Sequence, residues 1–423
     1  MATDPASGGG QPAVRDRAGR DADRHAAHSS LAYGAPLSSP PGDKRPDQPV
    51  APARAQPRSR LVALDTFRGI TIAAMILVNN PGGGRHGYGF LQHAKWNGWR
   101  PPDLIFPAFL FIAGVAIPLS FARQIELGVE RPAMRRKILT RTRIILGLGL
   151  LLNALPYFDW NVLRIPGVLQ RIALCYGAAA LLSLYLSIRG QALTALLLLA
   201  SYWALLTLVP VPGHGAGVLL PGADLGAYID RALMGGHLLH ESWDPEGLLS
   251  TVPAIATTLC GVLTGHWLRA APSARRCLAG LVLGAVAGVA LGECWNVWLP
   301  INKSLWTSSY AVFTAGVALL SLALCYWLID LRGYRRWSKP FVIYGTNPIL
   351  AYGLSSLLAK LLVLIHVYEP AGTTTTLQLY LFHRAFTPLA SVPMASLLYA
   401  LAYTLFWLAA MAVLHRRGIF VKI

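Results

Sequence analysis

From Leu61 onward, long apolar runs alternate with short polar connections. Ten runs stand out, at about 61–80, 103–122, 142–158, 166–187, 191–210, 248–268, 277–299, 308–329, 341–365 and 394–414. A helix needs roughly 20 apolar residues to cross a bilayer. In lipid only helices and closed barrels satisfy every backbone group, and these runs lack the two-residue alternation of barrel strands. The pattern predicts an all-α fold, a polytopic membrane helix bundle of about ten transmembrane helices over residues 59–423. Residues 1–58 follow a different rule. They are rich in Pro, Gly, Ala, Arg and Asp and nearly free of large apolar side chains. Such a segment cannot bury enough surface to offset its ordering entropy, so a disordered tail is expected. No apolar stretch precedes residue 61, so a secretory signal is not expected.

The polar connections carry the second signal. Arg123, Arg131, Arg135, Arg136, Lys137, Arg141, Arg143, Arg189, Arg269, Arg275, Arg276, Arg332, Arg335, Arg336, Lys339, Arg416, Arg417 and Lys422 fall on one side of a ten-span topology. Arg85, Lys95, Arg100, Arg164, Arg231, Lys303 and Arg384 fall on the other. The bias of 18 to 7 places the first side, with both termini, in the cytoplasm. The composition agrees: 54% of residues are hydrophobic and 13% charged. The net charge of +18 therefore reads as loop asymmetry and contact with the lipid bilayer rather than as a nucleic-acid surface. Cys175, Cys260, Cys277, Cys294 and Cys325 lie in or beside apolar runs without metal-ligand spacing. They are expected to be small core residues, and no metal site is expected.

Candidate chemistry gathers at the outer ends of the runs. The first run opens LVALDTFRG and closes VNNPGGG, which places Asp65 and Arg68 on one helix face and breaks the helix after Asn79 and Asn80. Arg68 reads either as half of a structural ion pair or as a ligand for an anionic group entering from the cytoplasm. HAKWNGWRPPD then precedes the second run, with Asp103 placed to cap it. His93 can accept a proton near neutral pH, and it reads as a surface histidine or as a base or nucleophile. Arg171 lies inside the fourth run, where an ionisable group is a functional candidate. The connection 211–247 is long and rich in His and acid, with His237, Asp244 and Glu246 near its end. These read as turns and caps or as ligands for a polar acceptor such as a sugar. INKSLWTSSY puts Lys303 just before the eighth run, as an interfacial cation or a site residue. Gly345, Asn347 and Pro348 break the ninth run, and a broken membrane helix normally lines a cavity.

Taken in order, LDTFRGITIAAMILVNNPGG, HAKWNGWRPPDLIFPAFLFIAGVAIPLS, LQRIALCY, DPEGLLSTVPAI and INKSLWTSSY resemble the heparan-alpha-glucosaminide N-acetyltransferase family. This is a branch of the transmembrane acyltransferases, and the resemblance covers about 61–423. It implies acetyl-CoA as a co-substrate used from the cytoplasm and an extracytoplasmic glycan or amino-sugar acceptor. The family's active-site histidine stands in H-A-x-W-N-G, here His93, and its essential asparagine follows the first span, here Asn79. The animal enzyme carries a luminal region where this sequence has its polar tail, and its connection to the motif histidine is somewhat shorter.

The expectation is therefore a membrane acyltransferase domain at 59–423 behind a cytoplasmic tail, in a bacterial cytoplasmic (inner) membrane. His93 and Asn79 are expected to be catalytic, with Asp103, Trp96 and Asn97 supporting. Arg68, Arg171 and Lys303 are assigned to the CoA moiety, and His237, Asp244 and Glu246 to the acceptor. His93, Asn79 and Asp103 are expected to converge on one cavity open toward the cytoplasm. Direct transfer with His93 as base is preferred to an acetyl-histidine intermediate. A homodimer stays open. A transporter or flippase for a glycan or lipid-linked intermediate is the chief alternative, and a lipid-contacting scaffold or sensor the third.

Overall fold

The computed structural model describes residues 61–83, 87–368 and 374–421, so the expected tail lies outside the described residues. Thirteen α-helices run through them. They are α1 (Val62–Asn79), α2 (Ile105–Glu126), α3 (Arg131–Ala154), α4 (Val168–Tyr185), α5 (Ile188–Leu208), α6 (Leu225–Met234) and α7 (Thr251–Ala270). Then come α8 (Ala274–Asn296), α9 (Ser308–Cys325), α10 (Lys339–Thr346), α11 (Pro348–Leu364), α12 (Leu377–Ala385) and α13 (Val392–Arg416). One antiparallel pair, β1 (His366–Tyr368) with β2 (Thr374–Thr376), joins α11 to α12.

The molecule is an all-α membrane bundle. Seven helical segments are long and apolar enough to cross a membrane: α1, α2 with its preceding turn, α4, α5, α8, α9 with its following π-type turn, and α13. The bent pair α10–α11 makes an eighth. The two remaining expected spans are helices of a different character. α3 starts eleven residues before its apolar run and carries Arg131, Arg135, Arg136, Lys137, Arg141 and Arg143 between its start and its midpoint at Arg143. α7 carries Thr251, Thr257, Thr258, Thr264, His266 and Arg269. It is less apolar because it faces protein: it packs against α2, α4, α5, α8 and α9, the hydroxyls of Thr257, Thr258 and Thr264 are satisfied by its own backbone carbonyls, and Thr251 donates to the Gly247 carbonyl just before it.

Small residues set the closest helix pairs, as expected where lipid supplies no hydrophobic drive between helices. A Cβ on Gly114 of α2 would lie 2.0 Å from the Thr258 carbonyl oxygen of α7, and one on Gly261 would lie 2.1 Å from that of Phe111. In α8, Gly280, Gly284, Gly288 and Gly292 recur every fourth residue, and the last two abut the α9 backbone at Gly316 and Phe313. In α1, Gly69 meets the backbone of Phe341 in α10. The break between α10 and α11 bends the chain by 84°. Buried Asn347 occupies the bend, donating to the Ile419 carbonyl at 3.0 Å and accepting from the Val421 amide at 2.8 Å. The C-terminal segment is thereby tied to the broken helix.

Candidate active site

The segment between α1 and α2 holds the candidate base. A short 3-10 turn at Gly89–Leu91 ends before His93, and a second at Pro101–Leu104 starts the next helical run. Pro101 and Pro102 suit that start, because a first-turn amide has no helical partner to lose. Asp103 lies within this turn. Its Oδ2 accepts the Ala94 amide at 3.0 Å and the Arg100 amide at 2.9 Å, so Asp103 is not the N-cap its position suggests but the third residue of the turn, reaching back to the amide of the N-cap Arg100. Its Oδ1 lies 2.7 Å from Nδ1 of His93. The carboxylate side chain is 1% exposed and the imidazole 46% exposed. A buried carboxylate accepts from Nδ1–H, which leaves the Nε2 lone pair of a neutral ring available. Below the pair, the Tyr310 hydroxyl donates to the Asp103 backbone carbonyl at 2.5 Å.

The turn before α9 approaches from the other side. Buried Asn302 accepts the Leu305 amide at 2.9 Å, and Trp306 adopts a left-handed φ of 50°. A large side chain rarely takes that conformation, so the surroundings must hold it. The Trp306 indole donates to Thr257 Oγ1 at 3.2 Å and packs edge-on against Phe106 and Tyr310. This tight turn sets Lys303 against the histidine: Nζ is 2.9 Å from Nδ1, 3.3 Å from Nε2 and 3.5 Å from Asp103 Oδ1. Burial pulls the Lys303 ammonium below its ordinary pKa, and the nearby Asp103 carboxylate opposes that pull. Two further contacts bind the loops together. Asn97 Oδ1 accepts from Asn302 Nδ2 at 3.1 Å, and the Gly98 amide donates to the Ile301 carbonyl at 2.7 Å.

The long connection 211–247 is folded around a second ionic centre. Arg164 makes two bonds to buried Asp244, at 2.8 and 2.7 Å, and one to Glu246 at 2.5 Å. Burial alone would lower the guanidinium's pKa, but the two carboxylates outweigh it and hold the pKa above its usual value. His237 shares a hydrogen bond of 2.8 Å with the Leu163 carbonyl. These acceptor candidates are thus engaged in holding the connection to the 155–167 loop. Trp96 joins the same layer: its indole donates to the Leu219 carbonyl at 2.7 Å and meets Trp243 edge-on at 5.2 Å. Trp243 in turn stacks on His240 at 4.5 Å.

Arg171 is buried in α4. One terminal nitrogen donates to the Gly247 carbonyl at 3.0 Å and to Ser250 Oγ, and the guanidinium lies 5.1 Å from the Trp306 ring centre. Its Nε and Nη1 have no hydrogen-bond partner among the described residues.

A cavity of about 390 Å³ runs from the other end of the bundle. Arg68, Lys137 and Arg141 line it together with Ser120 and Gln124, and the bent helix contributes Gly345, Thr346 and Pro348. The break does line a cavity, as its sequence suggests. On α2 the lining extends from Gln124 back to Phe109, roughly 22 Å at the helical rise. Phe109 is six residues from Asp103 on the same helical run. Of the three residues assigned to CoA, Arg68 lines this cavity while Arg171 and Lys303 do not. Arg68 also bonds Asp65 at 3.2 Å and the Gly345 carbonyl at 3.4 Å.

Among the described residues, His93 and Asp103 come together and Asn79 stands apart from them. His93 and Asp103 meet, whereas Asn79 is exposed and lines a separate space of about 200 Å³ with Asn80, Tyr352, Ser355 and Ser356. The helix ends at Asn79, and the neighbouring Asn80 folds back to cap the Ile76 carbonyl at 2.7 Å. Reading Lys137 and Arg141 as loop cations misses their place on the cavity wall; their i, i+4 spacing on a helix was the available signal. Arg164 and Asn302 carried no sequence signal, since each acts through residues far away in the chain.

The family model for the catalytic region of heparan-alpha-glucosaminide N-acetyltransferase matches residues 60–281. The heparan-alpha-glucosaminide N-acetyltransferase of Mus musculus is 31% identical over 359 residues, covering 71% of this chain and 54% of that protein. Its counterpart in Homo sapiens is 32% identical over 353 residues, covering 69% and 52%. The chain spans about half the length of these curated relatives.

Proposed function

The chain belongs to the heparan-alpha-glucosaminide N-acetyltransferase catalytic family, and from that premise we propose that it is an integral-membrane acetyltransferase. It moves an acetyl group from cytoplasmic acetyl-CoA to an extracytoplasmic glycan or amino-sugar acceptor. The observation that carries the reading is the pairing of His93 with buried Asp103 at 2.7 Å, on the loop with the H-A-x-W-N-G pattern.

Asp103 orients the imidazole through Nδ1 and stabilises the imidazolium that forms. His93 Nε2 takes the proton from the acceptor amine or hydroxyl as its nitrogen or oxygen bonds to the acyl carbon. As the carbon–sulfur bond breaks, the imidazolium returns the proton to the departing sulfur, giving acetylated acceptor and free CoA thiol. General acid–base catalysis of this kind contributes about 10²- to 10⁴-fold. Direct transfer needs a single histidine, which is why it is preferred to an acetyl-histidine route. Asn79, the last residue of α1, is the donor proposed for the developing oxyanion.

The donor end fits a phosphorylated co-substrate. Arg68, Lys137 and Arg141 can engage phosphates at the mouth of the 390 Å³ cavity, and the Phe109, Ile112 and Ile117 walls suit a less polar arm. No metal enters the scheme.

In detergent, the protein should release CoA thiol from acetyl-CoA in the presence of an amino sugar such as glucosamine. His93→Ala should lower that rate at least 100-fold while leaving CoA binding intact. Absence of CoA binding at millimolar donor sinks the enzyme reading. The transporter or flippase reading draws on the 84° break in α10–α11. It requires transport that survives His93→Ala.

A further inference from the structure

Three charge-bearing groups form a closed triangle at the candidate base. Asp103 Oδ1 and Lys303 Nζ both approach Nδ1 of His93, at 2.7 and 2.9 Å, and lie 3.5 Å from each other. A carboxylate only accepts and an ammonium only donates, so a single nitrogen cannot satisfy both. The shorter contact, to the buried carboxylate, assigns the proton to Nδ1. Lys303 then has no bond to Nδ1; its Nζ lies 3.3 Å from Nε2, the nitrogen left to accept, and its charge acts on the ring from there.

The two partners pull the imidazole in opposite directions. A carboxylate at this distance favours the imidazolium, whereas a cation disfavours it. The turn holding Lys303 is built rather than loose, since Asn302 is fully buried and Trp306 is locked in a left-handed conformation behind it.

We propose that Lys303 is a positioning residue for the His93 base: its ammonium offsets the Asp103 carboxylate, so the ring stays neutral with Nε2 unprotonated. This assigns Lys303 to the histidine and not to CoA, and it rests on the reading of His93 as base. Among the described residues the other charges facing this cluster are few. From the His93 loop they are Lys95, which is exposed, and Arg100, which donates to the Gly89 carbonyl at 2.8 Å. Behind Lys303 lie Glu246 and Arg171, of opposite sign.

The test reads His93 directly. The full-length protein in detergent is treated with diethylpyrocarbonate across a pH series, and His93 modification is followed by mass spectrometry. Lys303→Met should move the modification midpoint up by about one pH unit or more, and Lys303→Arg should leave it near wild type. The acid limb of the acetyl-transfer profile should move with it, so that Lys303→Met regains activity at alkaline pH. If Lys303→Met does not fold, Lys303→Gln serves in its place. An unmoved midpoint in the folded charge-removing variant overturns the proposal. So does a Lys303→Arg protein that behaves like Lys303→Met. Should the midpoint move while His93→Ala still transfers acetyl groups, the Lys303 inference holds and the enzymatic role of His93 fails.

Discussion

Asp230 shows how burial can dominate a side chain's behaviour. It lies in α6, 2% exposed, with Oδ1 accepting the Leu248 amide at 2.9 Å. Loss of water lifts its carboxyl from 3.8 to about 6, and the nearby Asp244 adds to the rise while the Leu248 bond opposes it. Because the folded state holds this proton more tightly than the unfolded chain, its contribution is fully present below about pH 4 and is lost as pH rises through about 6. Asp230→Asn keeps the acceptor oxygen without the charge. Its thermal midpoint should exceed wild type at pH 7.5 and match it near pH 4. Equal midpoints at both values would show that the carboxylate is not desolvated. The same logic separates the acids of this region: Asp244 is equally buried but meets Arg164 through two bonds, so its charge is compensated.

Between α2 and α7 the decisive property is the absence of side chains. Gly114, Gly261 and Gly265 let the two backbones touch, and α7 thereby braces the helix that follows the Asp103 turn. Gly114→Val would set two γ-carbons beyond a Cβ that already lies 2.0 Å from a carbonyl oxygen. Overpacking of this kind costs about 1–3 kcal/mol or more, and here only helix separation relieves it. The variant should lose its monodisperse gel-filtration peak or drop clearly in thermal midpoint. Gly147→Ala on α3 is the control, since nothing lies within 4 Å of its added Cβ. It should be neutral or slightly stabilising, as Ala is the better helix former. A normal peak and midpoint for Gly114→Val would show that the α2–α7 contact is looser than described.

For the whole molecule, orientation is the property on which the proposed chemistry depends. Leu127, 71% exposed after α2, and Leu220, 63% exposed in the 211–247 connection, lie on opposite sides if the basic loops are cytoplasmic. In a Cys294→Ser background, a membrane-impermeant maleimide should label Leu220→Cys in intact cells. Leu127→Cys should react only after permeabilisation. The reverse pattern would invert the bundle and place the His93 loop on the donor's side.

The choice of His93 came from the family resemblance of its motif; the apolar runs, the break at Gly345–Pro348 and the basic bias of the loops were present in the sequence itself. Each depends on local composition or on neighbours a few residues apart, which a linear chain displays directly. The pairing of His93 with Asp103 was also near in sequence, ten residues apart. What only the tertiary structure decided is which distant groups meet. Lys303 is 210 residues from His93 yet touches its ring, Asp244 and Glu246 are committed to Arg164, and Asn79 faces a different cavity. The number of strongly apolar spans belongs here too, because α7 keeps its threonines by facing other helices rather than lipid. Charge and polarity in a linear chain show that a partner is needed. The packing of helices determines which partner it is.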